Sequence, residues 1–172
     1  MHKIIKLLLL TLFFSIQIKA QYTNLSKAST LFSEEKYSAA QALFQQMIIH
    51  DRTNEQANYY NAKCSKELFS SDAIFLYEQF LSVFPYTSFI QQVNEDLALL
   101  YYRDLDYPKA IKYFLQLNGL QQQPDLIFKL AYSNFSIDSL VDADYYFSKL
   151  INTESKYAAT AQYYSAYIAY QN

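Results

Sequence analysis

The segment Tyr107-Pro108-Lys109-Ala110-Ile111-Lys112-Tyr113-Phe114 decides the fold of this 172-residue chain. Phe114 follows Ala110 by four residues and Leu117 follows Phe114 by three, so the three side chains form one stripe along a helix. Four copies of the stripe begin at four alanines, with spacings of 33, 37 and 33 residues: Ala40, Ala73, Ala110 and Ala143. The sequence is therefore a tandem repeat.

Each repeat contains a second helical stripe upstream of the first. Ala28, Ala98 and Ala131 each lie twelve residues before the alanine of the following stripe. A repeat is thus two short helices joined by a tight turn, and we predict an all-α fold. The predicted helix pairs are 22–33 with 37–50, 54–68 with 71–83, 87–103 with 107–117, and 124–136 with 140–151, followed by one unpaired helix at 157–171.

Composition excludes several other classes of protein. The chain has one Gly and three Pro, too few for the tight turns of a β-rich fold or for a glycine-rich phosphate loop. One Cys cannot form an intrachain disulfide or a multi-cysteine zinc site. A formal net charge of −2 gives no support for a nucleic-acid surface.

The repeats resemble the tetratricopeptide repeat, which has a Tyr-x-x-Ala-x-x-x-Phe core. Tyr37-Ser38-Ala39-Ala40-Gln41-Ala42-Leu43-Phe44 matches this core, as does the segment from Tyr107 to Phe114. The resemblance implies one α-solenoid domain over 21–172, with units at about 22–52, 54–85, 87–119 and 124–154 and a partial unit at 157–172. The family's Trp is absent, and Ala28, Asn61, Ala98 and Ala131 replace its first-helix Gly. An irregular helical bundle is the alternative.

Residues 1–20 have the layout of a secretory signal peptide. Lys3 and Lys6 precede an apolar run from Leu7 to Ile16, and Ala20 is a small residue at the expected cut. A buried N-terminal helix is the alternative. The three lysines of this segment leave 11 basic and 16 acidic residues in the mature chain, which has no second apolar run of membrane-spanning length. We expect no permanent membrane span there.

The signal and the repeats together resemble the N-terminal part of large exported tetratricopeptide-repeat proteins of Gram-negative bacteria. Tyr59-Tyr60-Asn61-Ala62-Lys63-Cys64 and Ser155-Lys156-Tyr157-Ala158-Ala159 carry this likeness. It implies a location in the periplasm or at the outer membrane, and a role in envelope transport or assembly.

Residues that could carry chemistry are few. After the signal, His50 is the one histidine and stands near a helix end, while Cys64 occupies a core-facing position of another helix. Asp138, Asp142 and Asp144 lack the glycine and distal glutamate of a calcium loop. We therefore predict no catalytic, cofactor or metal site, and no enzymatic activity.

The resemblance does imply a binding surface, because the first helices of tetratricopeptide units line the concave side of the solenoid. The partner-binding candidates at these positions are Tyr102, Arg103, Phe128, Tyr132, Phe135, Tyr163, Tyr167 and Tyr170. Asn58, Ala62 and Lys66 are the equivalent positions in the second repeat, at about 54–85. Tyr and Arg often dominate binding energy, although each candidate could instead belong to the core.

We therefore expect a non-enzymatic scaffold for a peptide or protein partner. A glycan-binding or enzyme-associated module is the alternative, since aromatic grooves also stack on sugars. The helix at 157–171 has no second helix to cover it, and its tyrosines lie on more than one face. We expect further repeats or self-association at this end.

Overall fold

The computed structural model describes residues 24–171, and the predicted signal peptide lies outside them. The described part of the chain is all helical. The helices are α1 (24–33), α2 (Tyr37–His50), α3 (Glu55–Glu67), α4 (Ala73–Val83), α5 (Ile90–Arg103), α6 (Tyr107–Phe114), α7 (Pro124–Ser136), α8 (Leu140–Ile151) and α9 (Ala158–Gln171), with a 3₁₀ turn at Leu120–Gln122.

The described residues divide into two compact units, the first ending at Thr87 and the second beginning at Ser88. In the first unit α2 packs on α3 and α3 on α4. In the second, each of the helices from α5 to α9 packs on the next. Consecutive antiparallel packing of this kind is what the helix-turn-helix repeat predicts.

The predicted stripe forms the core of every repeat. Its four alanines are 0–1% exposed, and the aromatic residues four positions later are all 0% exposed: Phe44, Tyr77, Phe114 and Phe147. Burying one such ring stabilises the fold by about 1.5–3 kcal/mol. The third residue of the stripe, seven positions after the alanine, is buried in three repeats, as Met47, Phe80 and Leu150. In the remaining repeat this residue is Leu117, which is only half-buried.

Leu117 differs because α6 is shorter than predicted. The helix ends at Phe114, not 117, and Leu115 and Gln116 turn away before the 3₁₀ segment. Gly119 has a left-handed conformation, with φ 66°, and directly precedes this 3₁₀ turn. The start of α5 also moves, from the predicted 87 to Ile90, because Thr87 N–H bonds to the carbonyl of Phe84 in a turn around Pro85.

The turn within each helix pair repeats the same backbone conformation. Its left-handed residues have φ between 54° and 64°, and none is glycine: Glu35, Phe69, Leu105 and Asp138. In the third pair, Leu105 N–H bonds to the carbonyl of Tyr102 and Asp106 N–H to that of Tyr101, which satisfies the last carbonyls of the helix. The Asp106 side chain then caps α6 by accepting a hydrogen bond from Lys109 N–H.

A glycine at one of these positions should stabilise the protein. Leu105 is 67% exposed, so Leu105→Gly loses little burial and removes the strain of a left-handed L-residue, about 1 kcal/mol. We expect the free energy of unfolding to rise by about 0.5–1 kcal/mol in urea titration.

Leu115→Gly is the matched control, because Leu115 is 57% exposed but has right-handed φ and ψ of −68° and −13°. Glycine there should destabilise by about 0.5–1 kcal/mol. Equal effects of the two substitutions would show that the turn of Leu105 is unstrained.

Candidate interaction surface

Helices α5, α6, α7 and α9 of the second unit bring aromatic side chains into one connected group. We call the following seven residues the aromatic surface: Tyr102, Tyr107, Phe128, Tyr132, Phe135, Tyr164 and Tyr167. Each of them retains solvent exposure, unlike the fully buried Phe147 on which Phe128 and Tyr164 also pack.

Helical spacing places these side chains together. Phe128, Tyr132 and Phe135 follow the i, i+4, i+7 rule and share one face of α7. Tyr102 stands in the last turn of α5 and Tyr107 begins α6, so the tight turn between these helices holds their rings 6.0 Å apart.

Tyr132 lies at the centre of the aromatic surface. Its ring centroid is 5.8–6.4 Å from five neighbours, which are Tyr102, Tyr107, Phe128, Phe135 and Tyr164. Edge-to-face and offset contacts at such distances each contribute about 0.5–1.5 kcal/mol beyond burial. The rings therefore hold one another in place.

One edge of the surface is polar. Asp125, in the first turn of α7, accepts hydrogen bonds from the Lys129 ammonium and from the Tyr157 hydroxyl. Burial acts to raise the pKa of Asp125, but the bonds from Lys129 and Tyr157 outweigh it and hold that pKa below its ordinary value. The Tyr157 ring stacks on Phe128 with a centroid distance of 4.7 Å. The carboxylate thus fixes the segment before α9 against α7.

Two phenols of the surface, those of Tyr102 and Tyr164, keep their protons at physiological pH. Burial, with a smaller contribution from neighbouring groups, raises the pKa of Tyr102 to about 12. Burial also raises the pKa of the Tyr164 hydroxyl. Both groups are neutral and can donate a hydrogen bond.

The predicted binding residues fall into two sets. Tyr102, Phe128, Tyr132, Phe135 and Tyr167 belong to the aromatic surface.

The other three predicted residues stand apart from it. Tyr163 is 65% exposed and contacts Tyr164, and Tyr170 is 88% exposed. Arg103 is exposed and paired with Asp104 at 2.8 Å between Nε and Oδ1.

The assignment of Ala62 to the binding surface is wrong. Ala62 is 0% exposed and belongs to the core of the first unit, and the neighbouring Asn61 is 7% exposed. Sequence reasoning also missed Tyr107 and Tyr164. Both carry a repeat signal: Tyr107 precedes Ala110 by three residues, and Tyr164 continues the 33-residue step from Ala98 to Ala131.

A separate cavity of about 340 Å³ lies between the α6–α7 connection and α8. Leu117, Ile127, Tyr146 and Lys149 are among the side chains that line it. Its lining contains no carboxylate, histidine or cysteine.

In the part of the chain that the structure describes, the cysteine and the histidine lie on different helices, and neither belongs to the aromatic surface. Cys64 is fully buried, as predicted, and burial raises the pKa of its thiol to about 12, so it remains protonated. His50 is exposed in the last turn of α2. Between residues 24 and 171 no cluster of His, Cys, Asp or Glu is arranged to hold a metal ion. In the same range, no helix has the length and apolar character needed to cross a membrane.

Comparison with known proteins identifies the fold but not a family. No protein-family model matches the sequence, and no curated protein matches it. The solved structure of MamA AMB-1 in crystal form P212121 is similar, with a TM-score of 0.71 and 16% sequence identity over 88% of this chain and 82% of that one. MamA is a helical solenoid of tetratricopeptide repeats. At this identity the likeness shows the fold alone, and the chain is an all-α protein with a tetratricopeptide-like solenoid fold.

Proposed function

We propose that this protein is a non-enzymatic scaffold that binds a peptide or protein partner through the aromatic surface. The observation that supports this most is a group of seven packed rings that are partly exposed, because Tyr provides a large contact area with little loss of side-chain entropy. Such a fixed aromatic patch at a protein surface is typical of an interaction site.

The chemistry of the site favours binding over catalysis. The Asp125 carboxylate is held by Lys129 and Tyr157, so it is not poised as a general base. The phenols of Tyr102 and Tyr164 have raised pKa values and are poor nucleophiles at neutral pH. A glycan-binding site would usually have free Asn, Asp or Glu side chains beside the rings to bond sugar hydroxyls. The Asp125 carboxylate at this edge is already bonded to Lys129 and Tyr157, which favours a peptide or protein partner over a glycan.

Peptide display selection on residues 21–172 tests the proposed function. We expect selected peptides to bind the parent chain and to lose at least about tenfold in affinity on Tyr102→Ala, as for an aromatic hot spot. Fluorescence polarisation measures the affinities, and circular dichroism checks that the variant folds.

Phe75→Ala is the matched control, since Phe75 is 62% exposed on α4 of the other unit. The selected peptides should bind this variant as they bind the parent. Peptide binding that ignores Tyr102, or binding of a glycan array but of no peptide, would contradict the proposed function.

We also propose that the protein is exported and works in the periplasm or beside the outer membrane, in envelope transport or assembly. The basic start and the ten-residue apolar run of the first twenty residues support export. Expressed in a Gram-negative host, the chain should be recovered from the periplasm with Gln21 as its first residue. N-terminal sequencing that finds Met1 on cytoplasmic protein would refute export.

Helix α9 is the proposed site of self-association. Ala158–Gln171 contains no charged residue, and Tyr163, Tyr167 and Tyr170 are 65%, 43% and 88% exposed. Two copies can bring such faces together without like-charge repulsion.

We expect the mature chain to associate reversibly at tens of micromolar, as measured by sedimentation velocity. Tyr163→Gln with Tyr170→Gln should weaken association by about tenfold or more, because both tyrosines would be buried between copies. The double variant leaves the seven rings intact, so it should still bind the selected peptides. A parent chain that remains monomeric at high micromolar concentration would exclude this interface.

A further inference from the structure

We infer that the cavity between the α6–α7 connection and α8 is a second binding site, which takes a small carboxylate with an apolar body. Its lining shares no residue with the aromatic surface, so the inference goes beyond the proposed scaffold function and does not depend on it. Four observations lead to it: the size of the cavity, the bonds that hold its wall, the apolar side chains in that wall and one unpaired charge beside them.

The cavity lies where the third repeat departs from the others. Helix α6 ends at Phe114 and α7 begins only at Pro124, so residues 115–123 form a connection in place of another helical turn. The cavity between this connection and α8 has a volume of about 340 Å³. Ligand pockets in proteins usually occupy about 300–1,000 Å³, so this one suits a small molecule.

Hydrogen bonds from α5 hold the connection in place. The Gln91 side chain accepts from Asn118 N–H at 2.7 Å and donates to the Gln116 carbonyl at 3.4 Å. The Asn94 side chain donates to Gln116 Oε1 at 3.3 Å. The wall of the cavity is thus tied to a helix of its own unit. A site that is already formed loses less free energy to ordering when a ligand binds.

Leucine and isoleucine side chains form one part of the cavity wall. Leu117 and Leu120 lie in the connection, and Ile127 lies in the first part of α7. An apolar ligand body that covers these side chains gains the free energy of removing both surfaces from water. Leu115 and Tyr145 also line the cavity and are 57% and 52% exposed, so a ligand can enter from solvent.

Lys149 is the charged side chain of the cavity lining in the described part of the chain. Its ammonium lies 4.5 Å from the Tyr145 ring centroid, a cation–π contact that keeps the charge beside the cavity. Between residues 24 and 171, Lys149 forms no ion pair. A cation beside apolar walls attracts an anion more strongly than a cation in bulk water does. The charge therefore favours a ligand with an anionic group.

The repeat pattern shows that the lysine is not required for packing. Lys149 follows Ala143 by six residues, and the same position of the other three repeats is glutamine: Gln46, Gln79 and Gln116. The charge appears in the repeat whose second helix borders the cavity. The substitution Lys149→Gln therefore introduces the residue that this repeat position otherwise carries, and the fold should accept it.

The test uses 3-phenylpropionate, whose ring can cover Leu117 and Leu120 while its carboxylate meets Lys149. The neutral 3-phenylpropionamide and acetate, which has no apolar body, are the ligand controls. In a methyl-detected NMR titration of residues 21–172, we expect saturable binding with a dissociation constant of about 1 mM or below. The amide should bind about threefold more weakly, and acetate about tenfold more weakly or less. The methyl signals of Leu117, Leu120 and Ile127 should shift, and those of Leu31 in the first unit should not.

Variants of two lysines separate recognition from folding. Lys149→Gln should weaken 3-phenylpropionate binding about three- to tenfold and leave binding of the amide unchanged, whereas Lys149→Arg keeps the charge and should retain the affinity. Lys112→Gln is the matched control, because the Lys112 ammonium also lies on a neighbouring ring, 5.1 Å from the Tyr113 centroid, but Lys112 does not line the cavity. This control should bind as the parent does. Circular dichroism checks that each variant folds.

A tetrapeptide with a free C-terminal Phe presents the same carboxylate and ring from the end of a protein chain. If it binds at least as tightly as 3-phenylpropionate and depends equally on Lys149, the ligand is a protein C-terminus; weaker binding makes it a free acid. Absence of saturable shifts at the cavity methyl groups would overturn the inference. Equal binding of the acid and the amide, or equal affinity of the parent and Lys149→Gln, would also overturn it. Neither result would change the dependence of the selected peptides on Tyr102.

Discussion

Close packing at one alanine per repeat is the constraint on which the rest of the structure depends. Ala40, Ala73, Ala110 and Ala143 are 0–1% exposed, so the helices of a pair can approach only where a methyl group is the largest side chain present. The aromatic ring four residues on fills the remaining space. Because this contact fixes the rotation of the second helix, it also determines which residues of the first helix stay at the surface. The aromatic surface is a consequence of that rotation.

The same constraint requires a tight turn between the paired helices, and one residue of each turn adopts a strained backbone conformation. Four non-glycine residues adopt left-handed conformations at the turns, each at a cost of about 1–2 kcal/mol, although the chain's one glycine is used elsewhere. The connections between repeats are less constrained. The 37-residue step from Ala73 to Ala110 spans the segment between Val83 and Ile90, where the two compact units divide.

The sequence was sufficient to predict features that depend on local periodicity. The helix pairs and the buried alanines follow from spacing within one repeat, and the structure confirms them. Features that this periodicity does not determine were harder to predict. In the second repeat, the alignment of the first helix on Asn61 or on the adjoining Ala62 could not be decided from spacing. An error of one residue in this alignment rotates each position by about 100° around the helix, so Ala62 was assigned to the surface although it lies in the core. The early end of α6 depends on how the segment after Phe114 packs, which periodicity does not describe.

Phe and Tyr are distributed differently between the core and the aromatic surface. Three of the four fully buried stripe positions carry Phe, and Tyr77 is the exception. On the aromatic surface, five of the seven rings are Tyr. A phenol buried without a partner would be costly, whereas at a surface its ring packs against protein and its hydroxyl faces water or a ligand. Replacing these tyrosines by Phe would preserve most of the ring contacts and remove the polar end. The tyrosines therefore suit half-buried positions, where the ring contributes packing and the hydroxyl avoids the cost of complete burial.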